Sequence, residues 1–508
     1  MSFRSLAIPE LAPKVRSLPL PKSFRSTVLV SALMMPCIGF ADEPNLPSLW
    51  AATEDGKTAA RGAAQNTIWD TGVGKSYWIP ALEIISFDVL LNQVDRHFVD
   101  RSGTYNSNLS SITRNLHSGW VVDRDRFDIN ELGHPYQGSI YHGIARSTGL
   151  GFWESAAYTF AGSVFWELAG ETTPPSRNDQ VASGIGGVLL GEPLFRMANL
   201  VLEHADGTPR FWREAAAAVI SPPTGFNRLA FGDRYKGIFQ SRDPAYYGRL
   251  QLGAATSTQN EPGTSAQVKR SEALADFSMD YGLPGKPDYT YRRPFDYFNF
   301  QAIASSANGV ESVMTRGLLV GKDYEAGNNY RGVWGLYGSY DYIAPQPFRV
   351  SSTALSVGTT AQWSLPKSFE LQGTGLLGVG YAAVGAVNTT DVHDNHYGVA
   401  PQALLALRLI YSDKASLDIS AREYFVSSVG SAGQGGHDNI ARADISFTWR
   451  IYHQHAIAFK YLITRRDAAF PDLGDRTQTR ATVGVFYTLL GHDRFGAVDW
   501  RRQDKDIR

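Results

Sequence analysis

The sequence has a single cysteine, Cys37, in 508 residues. Cys37 lies within the apolar run TVLVSALMMPCIGFA (residues 27–41), which follows a basic leader and ends in Gly39 and Ala41. Small residues three and one positions before Asp42 are typical of a secretory signal peptide that is cleaved at that point. The mature chain would then contain no cysteine, which excludes disulfide bonds and thiol chemistry from its function.

The sequence is also poor in long hydrophobic runs. The run 27–41 has about fifteen residues, whereas a membrane-spanning helix needs roughly twenty. Charged residues make up 19% of the chain and the mean hydropathy is slightly negative, which is too polar for a bundle of membrane helices. Aromatic residues, at 12%, are unusually frequent for a cytosolic enzyme. A β-barrel fits this mixture, because each of its strands has one side facing lipid and one side facing a polar lumen.

No charge of one sign dominates, since 48 lysine and arginine residues stand against 49 aspartate and glutamate residues. Residues 1–41 hold five basic residues and one acidic residue, so their removal leaves 43 against 48 and a net charge of −5. This modest acidity argues against a nucleic-acid partner.

From about Tyr247 onward, polar and apolar side chains alternate with a period of two. In RADISFTWRIY (residues 442–452), Ile445, Phe447 and Trp449 lie on one face, opposite Arg442 and Thr448. Similar runs, separated by turns rich in glycine, proline and aspartate, predict about twelve antiparallel strands of roughly ten residues. A soluble sandwich or lipocalin-like barrel is the alternative. The signal peptide and the aromatic residues near the strand ends favour a transmembrane barrel, which must close because lipid tolerates no open sheet edge.

Residues 134–220 lack this alternation and predict helices. GFWESAAYTFAGSVFWELAG (residues 151–170) is apolar except for a polar stripe with a spacing of four residues, which places its members on one helical face. That face needs hydrogen-bond partners, because an unpaired buried carboxylate is costly. The stripe consists of Ser155, Thr159, Ser163, Glu167 and Glu171.

Three further helices are expected. One covers residues 79–98 and another residues 180–190, where the small residues Ser183 and Gly187 allow close packing. Pro193 is expected to open the next helix, since proline is tolerated in a first turn. Glu192 and Arg196, four residues apart, are placed to form an ion pair.

Residues 120–228 contain several spaced motifs. They consist of Asp123, Asp125, Phe127, Asn130, His134, Pro135, Tyr136, Gly138, Ser139, Tyr141, Ala145, Arg146, Trp166, Glu167, Glu171, Pro175, Ser176, Asn178, Asp179, Gly186, Gly187, Gly191, Glu192, Arg196, Arg213, Glu214, Pro222 and Arg228. In their order and spacing these motifs resemble the bacterial family known as domain of unknown function 3943. Two departures from the family pattern are Val122-Asp123-Arg124, where an aromatic-Asp-Asp opening is usual, and Ser221, where asparagine is usual. The resemblance implies an outer-membrane protein and no particular reaction.

Hydrolysis of a membrane lipid is one hypothesis for these motifs. Ser139 and His142 could meet on a helical turn as nucleophile and base, and a carboxylate such as Glu167 or Glu171 could orient an imidazole. His134 is the remaining catalytic candidate. Against this hypothesis, the sequence has no nucleophile elbow.

A structural polar network is the preferred interpretation, because satisfied polar networks outnumber active sites. In this interpretation the helices dock on the barrel through ion pairs with lumenal cations such as Arg422, Arg442, Arg450, Lys460 and Arg480. A metal site built from His134, Glu167, Glu171 and Asp179 lacks any recognised ligand spacing, and we predict neither a metal nor a cofactor. The predicted network consists of Arg146, Glu167, Glu171, Asn178, Asp179, Glu192 and Arg196.

The sequence therefore predicts an all-β transmembrane barrel of the outer membrane of a Gram-negative envelope, with an N-terminal helical unit packed in or beneath it. Its parts are a signal peptide (1–41), a linker (42–76), the helical unit (77–235), the barrel (236–491) and a polar C-terminal tail (492–508). A plugged or gated barrel for a small solute or lipid is the first functional hypothesis, with the helical unit as the plug. A lipid-modifying enzyme and a scaffold for a periplasmic protein are the alternatives. Outer-membrane lipids are the expected surroundings.

Overall fold

Twelve antiparallel strands form a closed β-barrel, in agreement with the predicted fold class. The computed structural model describes residues 74–99, 102–123, 125–203, 209, 211–260, 267–345, 349–385, 395–427, 435–471, 474–491 and 493–500. The predicted signal peptide and nearly all of the linker lie outside these residues. Each strand pairs with its neighbours in the chain, and β1 closes the ring on β12, where Arg249 lies opposite Leu490. The strands are β1 Tyr246–Asn260, β2 Gln267–Tyr281, β3 Phe298–Ser305, β4 Gly309–Ala326, β5 Tyr330–Ile343, β6 Val350–Ser364, β7 Phe369–Gly385, β8 Asn395–Tyr411, β9 Ala415–Ser427, β10 His437–Tyr452, β11 His455–Phe470 and β12 Gly474–Leu490.

The alternation read from the sequence separates the two faces of the barrel wall. On β10, Ile445, Phe447 and Trp449 are exposed on the outer face, whereas Arg442 and Thr448 are buried on the lumenal face. A period of two is required here, because successive side chains of a strand point to opposite sides of the sheet. The outer face is thus a band of exposed apolar side chains.

Ion pairs between strands fill the lumen. Arg408 of β8 pairs with Asp280 of β2 at 3.0 Å (Nη1 to Oδ2), and these strands are six positions apart in the ring, so the pair crosses the whole lumen. Arg249 of β1 reaches Asp418 of β9 at 2.9 Å (Nη1 to Oδ2). The strand side chains alone therefore bridge the lumen.

The described part of the C-terminal tail, residues 493–500, closes one end of the lumen. Phe495 and Trp500 are buried. The lumenal side chain of Gln362 donates to the carbonyl oxygen of Val498 (2.7 Å), and Gln372 donates to that of Gly496 (2.8 Å). This end, where the chain enters β1 and leaves β12, is called the terminal end below, and the opposite end the loop end. The described part of the tail folds back into the barrel rather than extending away from it.

The filled lumen predicts that the intact barrel is silent in planar bilayers. Truncation after Leu490 is expected to remain silent too, because the cross-lumen ion pairs persist. Discrete conductance steps are expected when the truncation is combined with Arg408→Ser and Arg249→Ser, which remove the two pairs described above. Steps from the intact chain would contradict a closed lumen.

Seven α-helices precede the barrel in the described residues: α1 Trp78–Val94, α2 Leu109–His117, α3 His134–Ser147, α4 Phe152–Ala169, α5 Arg177–Leu202, α6 Phe211–Ile220 and α7 Pro222–Ala230. Wider π-helical turns at Asp95–Val99 and Ile129–Gly133 extend α1 and precede α3, and a third, Gln180–Gly186, lies within α5. Short 3-10 turns occur at Gly232–Arg234 and Asp493–Gly496.

One helix prediction was wrong, because Pro193 does not open a helix but lies inside α5. A proline within a helix costs about 3 kcal/mol or more through its missing N–H and its ring. Here Pro193 is itself buried, and its neighbours Glu192 and Arg196 are buried in ion pairs. Tertiary contacts along the whole of α5 therefore offset the local cost of the proline.

The helical unit packs against the outer wall of the barrel, not inside the lumen or beneath the strands. On β5, the buried Tyr340 shares a face with Trp334 and Leu336, which are exposed to the outside, while Asp341 faces the lumen. The hydroxyl of Tyr340 donates to the carbonyl oxygen of Glu131 in the helical unit. The tyrosine is therefore an outward-facing residue that the helices cover.

Helix α5 runs along this wall from the loop end to the terminal end. Near its start, Asn178 donates to the hydroxyl of Tyr397 at the loop end of β8 (3.1 Å). Halfway along, a Cβ added at Gly338 of β5 would lie 2.6 Å from Leu189. Near its end, Arg196 donates to the carbonyl oxygen of Pro294, in the connection between β2 and β3 (2.6 Å). Among the described residues, α5 is the one helix long and apolar enough to cross a membrane, with 78% of its apolar window buried.

Candidate functional site

Glu192 is the centre of a buried ion network in the helical unit. Its Oε2 accepts from Arg146 Nε at 2.8 Å and lies 3.0 Å from His142 Nε2, and its Oε1 accepts from Arg196 Nε at 2.8 Å. The carboxylate is fully buried. Two guanidinium groups offset the desolvation of this carboxylate, which is the condition for keeping a charge inside a protein.

The network continues into the barrel through Asp296, in the connection between β2 and β3. Arg196 Nη1 lies 3.2 Å from Asp296 Oδ1. The other oxygen of Asp296 accepts from the guanidinium of Arg242 and from the backbone N–H of Arg293 (2.7 Å). The structure thus joins three residues of the predicted network, Arg146, Glu192 and Arg196, to the terminal end of the barrel.

The other predicted network residues gather near the loop end, between α4, α5 and β8. Glu167 Oε2 accepts from the backbone N–H of Ser176 (2.7 Å), and Asn178 donates to Asp179 Oδ1 (3.1 Å). His134 Nε2 lies 3.9 Å from Asp179 Oδ2. This second group is rich in carboxylates and contains no arginine or lysine among the predicted residues.

The predicted pairing with lumenal cations was wrong. Arg422 pairs with Asp341 (3.1 Å), Arg480 with Glu272 (2.7 Å), and Lys460 with Asp276, all of them strand residues inside the lumen. The carboxylates of the helical unit lie on the other side of the barrel wall and cannot reach these cations.

A cavity of about 360 Å³ lies between the helical unit and the outer wall. Its barrel side consists of Phe300 on β3 and Val310 and Val313 on β4, whose side chains face outward. A volume of this size falls at the lower end of the range of about 300–1,000 Å³ that is typical of ligand sites. Its helical side is mostly apolar as well and includes Phe87, Leu91, Leu132, Ile140, Trp166, Leu190 and Leu194.

One part of the cavity surface is polar. His134, Glu171, Asp95 and Asp128 line it there, next to the π-helical turns. Glu171 accepts hydrogen bonds from Trp166 Nε1 (3.0 Å) and Thr173 Oγ1 (2.9 Å), which fix the carboxylate in place. An apolar chamber whose lining also includes ionisable groups can hold an amphiphile.

Residues 119–223 match the family model described as Domain of unknown function (DUF3943). The segment is a DUF3943 domain. It contains α3, α4 and α5, and with them the Glu192 network and most of the helical wall of the cavity. The resemblance read from the motifs is thereby confirmed. No curated protein matches the chain.

The barrel is similar to several solved structures at low sequence identity. The translocator domain of the autotransporter NalP from Neisseria meningitidis is 13% identical, with a TM-score of 0.22, over 47% of this chain and 88% of that chain. The anion-selective porin from Comamonas acidovorans is 7% identical, with a TM-score of 0.23, over 49% of this chain and 100% of that chain. The KdgM porin is 8% identical, with a TM-score of 0.20, over 47% of this chain and 98% of that chain. At these scores the likeness adds nothing to the barrel geometry described above.

The residues of the catalytic hypothesis are all in the DUF3943 domain, but Ser139 and His142 have other partners. The Ser139 hydroxyl donates to the carbonyl oxygen of Tyr136 (2.6 Å). A serine within a helix commonly uses its hydroxyl in this way, in a hydrogen bond to a carbonyl of the preceding turn. His142 faces Glu192 on one ring nitrogen and Thr159 on the other (3.5 Å). The geometry does not assemble the nucleophile and base that hydrolysis requires. Within the described ranges, no group of three histidine, cysteine or acidic side chains is arranged to hold a metal ion.

Sequence reasoning missed the parts of the site that lie outside the DUF3943 domain. Tyr397 contacts both Asn130 (3.2 Å) and Asn178 (3.1 Å), and no motif in the sequence marks it. Asp296, the second acid of the ion network, belongs to no motif in the sequence either. Neither residue carries a local signal, because its role arises from contacts with residues of the helical unit that are a hundred or more positions away. The π-helical turns that expose His134 and Asp95 to the cavity likewise have no recognised sequence pattern.

Proposed function

We propose that this protein is an outer-membrane barrel whose DUF3943 domain binds a single amphiphilic molecule, taken from the bilayer, in the cavity against the outer wall. The barrel serves as a wall and anchor for this site rather than as a pore. The observation that carries the proposal is the cavity itself, because one side of it is formed by Phe300, Val310 and Val313 on the outward-facing surface of β3 and β4.

The outer surface supports a membrane location for both the barrel and the helices. Exposed apolar side chains cover the outer face of the strands, as in transmembrane barrels. The helical unit also exposes large apolar side chains, a surface that would be unfavourable in water. Examples are Trp78, Leu82, Ile85 and Val89 on α1 and Trp153, Phe160 and Phe165 on α4. Lipid around the helical unit accounts for both sets.

Connection lengths support an orientation with the terminal end in the periplasm. At the terminal end, four of the five connections between neighbouring strands have two to four residues: β4–β5, β6–β7, β8–β9 and β10–β11. The fifth, between β2 and β3, has sixteen residues (282–297) and contains the Asp296 end of the ion network. The connections at the loop end reach nine residues, between β7 and β8 and between β9 and β10. Outer-membrane barrels have short periplasmic turns and longer extracellular loops.

The plugged-pore hypothesis is not favoured, because ion pairs such as Arg408 to Asp280 fill the lumen and the helical unit lies outside it. The lipid-enzyme hypothesis also requires a bound amphiphile, but the described side chains of Ser139 and His142 do not form a nucleophile and base pair. Binding without turnover is therefore the function that the cavity supports best. The scaffold hypothesis would require a surface for a protein partner. Among the described residues, contact with the membrane explains each exposed apolar surface equally well.

Filling the cavity is expected to abolish binding. In Val313→Trp the larger side chain extends from the outer wall into the cavity. Photolabelling of nanodisc-embedded protein by a diazirine-bearing long-chain alcohol is expected to fall by about tenfold, equivalent to about 1.4 kcal/mol. Cross-linked peptides from α1, α3 and α5 are the readout.

Val357→Trp is the matched control. Val357 is 63% exposed on the same outer face but on β6, away from the cavity lining. It is expected to label like the parent protein, and both variants are expected to keep the heat-dependent gel migration of a folded barrel. Equal labelling of Val313→Trp and Val357→Trp would overturn the proposal.

A further inference from the structure

The polar part of the cavity is acidic. Three carboxylates line it, Asp95, Asp128 and Glu171, and no lysine or arginine is present among its described lining residues. Asp128 is already paired with Arg126, through two contacts of 3.0 Å. The hydrogen-bond donors to Glu171, in contrast, are the neutral groups of Trp166 and Thr173.

His134 provides an independent indication of a ligand. The residue is 6% exposed and lines the cavity, and its Nδ1 atom has no hydrogen-bond partner among the residues that the structure describes. Buried polar atoms are hydrogen-bonded in the great majority of cases, so an orphaned ring nitrogen in a cavity wall points to a missing partner. A neutral imidazole can accept a hydrogen bond at such a nitrogen.

The polar and apolar ends of the cavity are also ordered along the barrel axis. His134 and Asp128 flank Glu131, whose carbonyl oxygen accepts from Tyr340 near the loop end. Leu190 and Leu194 lie further along α5, toward the terminal end. An amphiphile in this cavity would therefore have its head group near one membrane surface and its chain pointing into the bilayer, as it does in lipid.

We infer that the ligand is a single-chain amphiphile with a protonated amine in its head group, held by Asp95 and Glu171 with His134 as a hydrogen-bond acceptor. This inference rests on the proposed function and names its ligand class. An ammonium group supplies the donors and the positive charge that the carboxylates lack, since hydrogen bonds between ionised groups are stronger than neutral ones. Phosphate, sulfate or carboxylate heads without an amine would face uncompensated like charge.

Three diazirine probes with the same alkyl chain test this inference in nanodiscs. They carry an amine, an alcohol or a sulfate ester as the head group. The amine probe is expected to label the cavity peptides about tenfold more efficiently than the alcohol, a ratio in line with the strength of a charged hydrogen bond. The sulfate probe is expected to label least. Subtracting the labelling of Val313→Trp removes non-specific partitioning of each probe into lipid.

The double variant Asp95→Asn/Glu171→Gln separates head-group recognition from chain binding. It is expected to lose the preference for the amine while labelling by the alcohol stays unchanged. Asp233→Asn, at a residue of the 3-10 turn outside the cavity lining, is the control and is expected to keep the preference. Free ethanolamine as a competitor distinguishes a lipid from a soluble amine, and it is expected to leave labelling by the amine probe unchanged.

Each outcome is decisive. Equal labelling by amine and alcohol, or strongest labelling by the sulfate, would overturn the amine inference and leave the proposed function intact. Strong competition by ethanolamine alone would show that the head group, without a chain, is the ligand, and would overturn the single-chain amphiphile. Failure of all three probes to label the parent above Val313→Trp would overturn the proposed function itself.

Discussion

Replacing Glu192 by glutamine is expected to destabilise the DUF3943 domain by about 3–5 kcal/mol, the usual cost of breaking a buried ion pair. Glutamine keeps the size of the side chain but removes the charge. Arg146 then loses the carboxylate that faces it at 2.8 Å and 3.2 Å, and Arg196 loses one of its two. The guanidinium of Arg146 also lies over the apolar ring of Phe195, with its central carbon 4.5 Å from the ring centroid.

Protease sensitivity under increasing urea measures this effect in the helical unit, and the heat-dependent gel shift monitors the barrel separately. Cleavage within α3 to α5 is expected at lower urea for Glu192→Gln while the barrel stays folded. Glu154→Gln is the matched control. Its carboxylate pairs with Lys75 on the surface, with the two side chains 38% and 31% exposed, and such pairs contribute about 1 kcal/mol or less. Identical behaviour of the two variants would show that the buried network does not stabilise the domain.

Gly138→Ala is expected to disrupt the crossing of α3 over α5. A Cβ at Gly138 would lie 1.9 Å from the backbone oxygen of Ser183 and 3.0 Å from Gly187 Cα. The obstruction is backbone, so no side chain can rotate away and the helices must separate. Overpacking of this kind costs about 1–3 kcal/mol and occasionally more. Because α3 and α5 both line the cavity, we also expect labelling by the alcohol probe to decrease.

The control for this variant is Gly119→Ala, since nothing lies within 4 Å of a Cβ placed at Gly119. The same protease and labelling assays apply. Gly119→Ala is expected to match the parent protein in both. If Gly138→Ala also matches the parent, the close approach of the two helices does not position the cavity.

Local patterns made much of the fold predictable. The strands could be read from alternation such as that of Ile445, Phe447 and Trp449, because the period of two is a property of each strand on its own. The ion pair of Glu192 and Arg196 followed from their spacing on one helix. The DUF3943 motifs marked the segment that contains the functional core, without giving the role of any residue.

Non-local contacts explain the errors. The polar residues of the helical unit were expected to meet lumenal cations such as Arg422, because both sets need partners and the sequence does not say on which side of the wall the helices lie. In the structure Arg422 pairs within the lumen, while Arg196 reaches Asp296 outside it. Pro193 was misread for a similar reason, since its helical start signal is local and the packing that overrides it is not.

The sequence by itself determined a twelve-stranded amphipathic barrel preceded by helices with buried charges, because periodicity and spacing are encoded within each element. Only the tertiary structure decided that the helices cover the outer wall, that the tail and the strand side chains close the lumen, and that His134, Glu171 and Asp95 meet Val313 around one cavity. These features depend on which surfaces of separate elements come together. That choice is made by the summed packing of residues far apart in the chain, which no local pattern contains.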